Sequence, residues 1–129
     1  MAALLDTHAV LWYVMADARL SDRARSIISA RSELFFSIAS LWEISIKLNI
    51  GKLYVTSSFD EILARLNFIG AKILPIEIED TQTYINLPLM PKHRDPFDRI
   101  LVAQAMNRSL ILVSADAKLD AYSIQRVWV

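Results

Sequence analysis

Two aspartates three residues apart, Asp95 and Asp98, open the stretch His-Arg-Asp-Pro-Phe-Asp-Arg-Ile-Leu-Val-Ala-Gln-Ala-Met at residues 93–106. Proline suits the first position of a helix and aspartate the cap before it, so Asp95 and Pro96 predict a helix start. Asp98 lies one turn further on, and both carboxylates face the same end of the helix. Lys92, His93, Arg94 and Arg99 surround them with positive charge. Taken alone, this is what a capped helix with compensated charge requires. Three other acids change its meaning. Asp6 closes the apolar run at residues 2–5, Asp116 follows the run 110–113 after Ser114 and Ala115, and Glu43 lies six residues past Ser37.

Each acid also has a structural use. Asp6 and Asp116 suit helix caps, and Glu43 suits an i,i+4 pair with Lys47. Brought together, however, three or four carboxylates without counter-charge repel one another, and a divalent cation is the usual remedy. Oxygen donors with no thiolate point to magnesium or manganese rather than zinc. The chemistry that follows is attack on a phosphodiester by an activated water. His93, with Lys92, Arg94 and Arg99, offers a basic rim for phosphate. His8 reads as a satisfied or surface histidine.

The elements that must position these groups follow from pattern. Strands are expected at residues 2–5, 34–37, 72–76 and 110–113, with an edge strand within 124–129. Helices are expected at 7–16, 21–30, 38–49, 58–69, 79–87 and 95–107, with Gly51 and Gly70 closing the third and fourth. The 38–49 helix is apolar nearly all round, with one narrow polar stripe at 40, 43 and 47, so it is expected to be mostly buried. Strands alternating with helices imply a three-layer α/β/α sandwich around a mainly parallel sheet. Ligands bind such sheets beyond the carboxyl ends of the strands. If the first and fourth strands are neighbours, all four acids converge on one pocket.

At 129 residues the chain is sized for one domain, and 54% hydrophobic against 22% charged residues marks it as folded. Fourteen basic against fourteen acidic residues leave no net charge, which argues against a protein that simply coats nucleic acid. A nuclease needs only a local basic rim. The absence of cysteine removes disulfides, thiol catalysis and thiolate zinc sites. With no export signal and no membrane-length apolar run, the protein is expected to be soluble and cytoplasmic.

Leu-Leu-Asp-Thr-His at residues 4–8, Ser-Leu-Trp-Glu-Ile at 40–44, the 93–105 motif and Ser-Ala-Asp at 114–116 occur in that order. Together they resemble a PIN-domain protein of the VapC type, the nuclease half of a toxin–antitoxin pair. The resemblance spans essentially the full chain. It implies a PIN-like fold and a Mg2+- or Mn2+-dependent endoribonuclease. It also implies a homodimer and a cognate antitoxin laid over a hydrophobic groove. Asp6, Glu43 and Asp98 match the family's regular acids and Asp116 its more variable fourth, with Thr7 and Ser114 as supporting hydroxyls. On that basis Asp6, Asp98 and Asp116 are the candidate metal residues. Glu43 is assigned to positioning or deprotonating the water or completing the metal shell, and Asp95 keeps its capping role. The chain departs from the family in carrying Ser114 for the usual threonine and Leu119 for an aromatic. The alternative is a non-catalytic binding or regulatory module on the same fold. A phosphatase or phosphoryl-accepting receiver ranks below the nuclease, because residues 6–8 lack an Asp-x-Asp.

Overall fold

The computed structural model describes residues 2–30, 33–53 and 57–129. Five strands form one sheet: β1 (Ala3–Leu5), β2 (Leu34–Ser37), β3 (Lys72–Leu74), β4 (Ile111–Val113) and β5 (Arg126–Val127). Their order is β3-β2-β1-β4-β5 and every pairing is parallel. The helices are α1 (Thr7–Val14), α2 (Asp22–Ser29), α3 (Ile38–Asn49), α4 (Phe59–Phe68), α5 (Ile78–Ile85) and α6 (Pro96–Arg108). A 3-10 turn, Ala117–Ala121, follows β4 and was not anticipated from pattern.

Strands buried on both faces need apolar residues at every position. Alternation sends Ala3, Leu5, Leu34, Phe36, Ile111 and Val113 to one side, where they meet Val10, Ile28, Ile44 and Ile62 of α1 to α4. Leu4 and Leu112 point the other way, onto Leu101 and Val102 of α6 and onto Leu119 and Tyr122. The expected three layers follow directly. None of the described helices is long and apolar enough to cross a membrane.

The chain builds β1, β2 and β3 in one direction, then returns to lay β4 on the free side of β1. That reversal opens a crevice between β1 and β4, the usual place for a ligand in an open parallel sheet. Leu5 lies opposite Val113, so Asp6 and Ser114 leave the sheet side by side. The adjacency on which convergence of the acids depended is therefore present.

Helix starts follow their caps. Side chains of Asp6, Ser21, Ser37, Ser58 and Asp95 each accept a backbone N–H of the turn they open. Gly70 ends α4 in the left-handed region (φ +74°), where its N–H and that of Ala71 reach the carbonyls of Asn67 and Leu66. Strand β3 stops at Leu74, short of the expected residue 76, because Pro75 carries no N–H to continue the ladder.

Helix α5 is fastened to α6 by a buried acid. Asp80, fully buried, takes both forks of the Arg108 guanidinium at 2.7 and 3.0 Å. It also accepts from Asn107 (2.9 Å) and from the Glu77 N–H (2.8 Å). Burial alone would raise the Asp80 carboxyl, yet these donors outweigh it and hold the carboxyl below its ordinary value. The network anchors the far end of the helix that carries Asp98.

Helix α3 departs from expectation on one side. Trp42 is 61% exposed and packs edge-on against Phe97 at 5.4 Å between ring centres. Periodicity identified the apolar positions, but α5 and α6 leave a groove over Trp42 rather than covering it.

Candidate active site

Asp6 leaves β1 and begins α1, its Oδ1 accepting the Ala9 N–H at 2.7 Å. Burial raises its carboxyl above the ordinary value, against hydrogen bonds from the Ser114 hydroxyl and the Ala9 N–H. The neighbouring Asp116 charge raises it further. Glu43 sits in the second turn of α3, buried, on the stripe with Ser40 and Lys47. The Thr7 hydroxyl donates to its Oε1 at 2.8 Å and the Lys47 ammonium to its Oε2 at 3.1 Å. The i,i+4 pairing with Lys47 is thus present, between a buried carboxylate and a half-exposed ammonium.

Asp98 is the third residue of α6, directly after the Asp95 cap and its Pro96 and Phe97. Burial, and then the charge of Asp95, push its carboxyl up to about 6; Glu43 adds to the rise and His93 opposes it. Asp116 caps the 3-10 turn, its Oδ1 accepting the Lys118 N–H at 3.0 Å, while its own N–H donates to Ser114 Oγ. All four acids line one cavity of about 390 Å3, together with Lys47 and Lys118.

The tightest grouping was not expected. His93 is buried, with Nε2 3.3 Å from Asp98 Oδ2 and 3.7 Å from Asp116 Oδ2. Ligand atoms of His93, Asp98 and Asp116 lie within 4.8 Å of one another, the one such group among the described residues. Asp6 joins the cavity wall but not this cluster. Nδ1 of His93 meets the Tyr122 hydroxyl at 3.0 Å. Nothing local in the sequence marks Tyr122, which lies 29 residues away.

A family model for the PIN domain matches residues 3–125. The chain belongs to the PIN domain family. This PIN domain is similar in structure to VapBC2 from Rickettsia felis bound to a promoter DNA fragment (TM-score 0.67, 13% identity, 100% of both chains covered). It is also similar to a toxin–antitoxin complex from Klebsiella pneumoniae (TM-score 0.67, 19% identity, 98% of this chain and 96% of that one). A third likeness is to FitAcB from Neisseria gonorrhoeae (TM-score 0.68, 18% identity, 96% and 95% covered). At such identities these likenesses establish the fold. No curated protein sequence matches the chain significantly.

The PIN domain's donor set fits a divalent cation. Its acids are oxygen donors whose burial, with a smaller share from neighbouring carboxylates, raises the carboxyls of both Asp6 and Asp98, a condition a bound cation relieves. The expected basic rim is smaller than the motif suggested. Lys92 and Arg94 are exposed, but Arg99 is buried, donates to the Pro88 carbonyl and to Tyr122, and lies over the Tyr84 ring. Its charge supports the fold behind the site. Leu119, where the family often has an aromatic, is core packing.

The raised Asp98 carboxyl makes a pH prediction for the metal-free protein. Between about pH 4 and about pH 6 the folded state holds a proton that the unfolded state has lost. This contribution to stability is complete below about pH 4 and disappears as the pH rises through about 6. Asp98→Asn is therefore expected to stabilise the metal-free PIN domain at neutral pH by on the order of 2 kcal/mol or less, and not at pH 4. Thermal melts of both forms across that range test it. A variant less stable than wild type at neutral pH contradicts the prediction.

Proposed function

We propose that this PIN domain is a Mg2+- or Mn2+-dependent endoribonuclease and the toxin of a toxin–antitoxin pair. The observation that carries the proposal is the convergence of Asp6, Glu43, Asp98 and Asp116 on one cavity beside the β1–β4 crevice. Asp6, Asp98 and Asp116 hold the cation. When bound, it supplies charge neutralisation at the phosphate and activation of a water for attack on the phosphodiester. Thr7 and Lys47 fix the Glu43 carboxylate, leaving a lone pair on each oxygen to orient the attacking water or accept its proton. Lys47 and Lys118 at the cavity wall offer charge to the phosphate. The partner is a protein antitoxin, as the description of the Klebsiella relative as a toxin–antitoxin complex suggests.

Incubation of the purified chain with a mixed RNA pool tests the activity, with Mg2+ or Mn2+ in one arm and EDTA in the other. Cuts that need the metal are expected. No cutting together with no metal binding by calorimetry would overturn the nuclease reading in favour of a binding module.

For the homodimer implied by the family resemblance we propose as its surface an apolar groove at Trp42, a feature of the kind the resemblance also offers to the antitoxin. Trp42, Ile76, Phe97 and Ile100 line this groove of about 540 Å3, the kind of exposed patch that marks an interface. Trp42→Glu is expected to convert a dimer into a folded monomer by light scattering. A dimer unchanged by this substitution excludes the groove.

A further inference from the structure

We infer that His93 is a positioning residue, locked by Arg99 and Tyr122 as an Nε2–H donor to Asp98, with the Asp116 carboxylate alongside. Hydrogen counting carries the inference. The Arg99 guanidinium can only donate. Its Nη1 reaches the Pro88 carbonyl and the Tyr122 hydroxyl oxygen, each at 2.9 Å, which uses both hydrogens on that nitrogen. Tyr122 is buried and already accepts from Arg99, so its own hydrogen needs an acceptor. Among the described residues His93 Nδ1, at 3.0 Å, is the one it meets.

Nδ1 therefore carries the lone pair and Nε2 the hydrogen. That hydrogen is donated to Asp98 Oδ2 at 3.3 Å, while Asp116 Oδ2, at 3.7 Å, feels the same N–H dipole without a hydrogen bond. The opposite tautomer aims the Nε2 lone pair at two carboxylates and leaves the buried Tyr122 hydrogen without a partner, so two unfavourable contacts replace two favourable ones. The lock spans elements that the chain brings together from far apart: Asp98 on α6, Asp116 beyond β4, and Tyr122 after the 3-10 turn. It holds the Asp98 carboxylate in place beside Asp116 before any cation arrives, and it removes His93 nitrogen from the donor set. The site is thereby biased toward cations that accept oxygen ligands alone.

This inference rests on the cation-holding role proposed above, and its test separates the two. Long-range 1H–15N NMR of metal-free protein labelled at histidine reads the tautomer directly, with His8→Asn assigning the two histidine signals. Wild type is expected to show His93 protonated at Nε2, and Tyr122→Phe, which keeps the ring, to show a mixed population. Calorimetric Mn2+ affinity is expected to fall about 10–100-fold in Tyr122→Phe and in His93→Leu. His93→Gln, which can still donate, is expected to recover part of the loss. A His93 hydrogen on Nδ1 in wild type overturns the inference, as does unchanged Mn2+ affinity in both Tyr122→Phe and His93→Leu. Wild type that binds no Mn2+ overturns the cation-holding role, while the tautomer still decides the lock.

Discussion

Asp98→Asn is expected to reduce metal-dependent RNA cleavage by about 1000-fold or more, with Asp6→Asn close behind. The size follows from what is removed. A carboxylate that helps hold a cation at the reacting phosphate secures several kcal/mol of transition-state stabilisation, and about 4 kcal/mol corresponds to three powers of ten in rate. Neither substitution changes side-chain volume appreciably, and neither residue lines the Trp42 groove, so the oligomeric state should remain that of wild type. Single-turnover cleavage with saturating Mn2+, read beside light scattering, makes the measurement. Full activity in both variants would sink the assignment of the metal residues. The same Asp98→Asn protein is the one expected to gain stability at neutral pH without metal, so activity and stability should move in opposite directions at this position.

The largest effect on the fold is expected at Asp80, which never touches the cavity. Asp80→Ala takes the shared acceptor from the Arg108 guanidinium, the Asn107 amide and the Glu77 N–H at the α5–α6 junction, donors that water can reach only in part. Breaking a fully buried pair on one side costs about 3–5 kcal/mol, and the partial exposure of Arg108 brings this to about 2–4 kcal/mol. For a chain of this length that is a fall in Tm of roughly 6–16 °C. Replacing both partners, Asp80→Leu with Arg108→Leu, should recover much of the loss, because no charge is then left uncompensated. A shift of only a degree or two in Asp80→Ala would mean that α5 and α6 are held by their apolar contacts. Because donors hold the Asp80 carboxyl below its ordinary value, its contribution is complete above about pH 4 and is lost as the pH falls further. Asp98 behaves in the opposite sense.

Local rules carried the sequence reading a long way. Apolar runs ending in aspartate, caps before helices and glycine at helix ends depend on neighbours in the chain, and Asp6, Pro96 and Gly70 stand where those rules put them. Convergence of the acids required one fact of another kind, the pairing of β1 with β4, which follows from the whole topology. What stayed hidden was long-range. His93 was visible as a basic neighbour of the acids, yet its bond to Tyr122 spans 29 residues and leaves no local signature. Arg99 has the composition of a surface cation and lies buried, since the Pro88 carbonyl and two tyrosines give it partners inside. Trp42 illustrates the reverse. An apolar face records that a helix prefers cover, and only packing decides whether the same chain supplies it.

Asp6 and Asp116 perform two tasks with one side chain, each giving a carboxylate oxygen to a helical N–H while presenting charge to the cavity. Asparagine serves the first task about as well as aspartate does, and fails the second. Under the proposed function, one change of residue is therefore expected to abolish cleavage and leave the protein folded. Thermal melts of metal-free Asp116→Asn and Asp116→Ala would reveal this as a loss of about 1 kcal/mol in the alanine variant alone. Equal losses in the two would mean that capping at this position matters little to the fold.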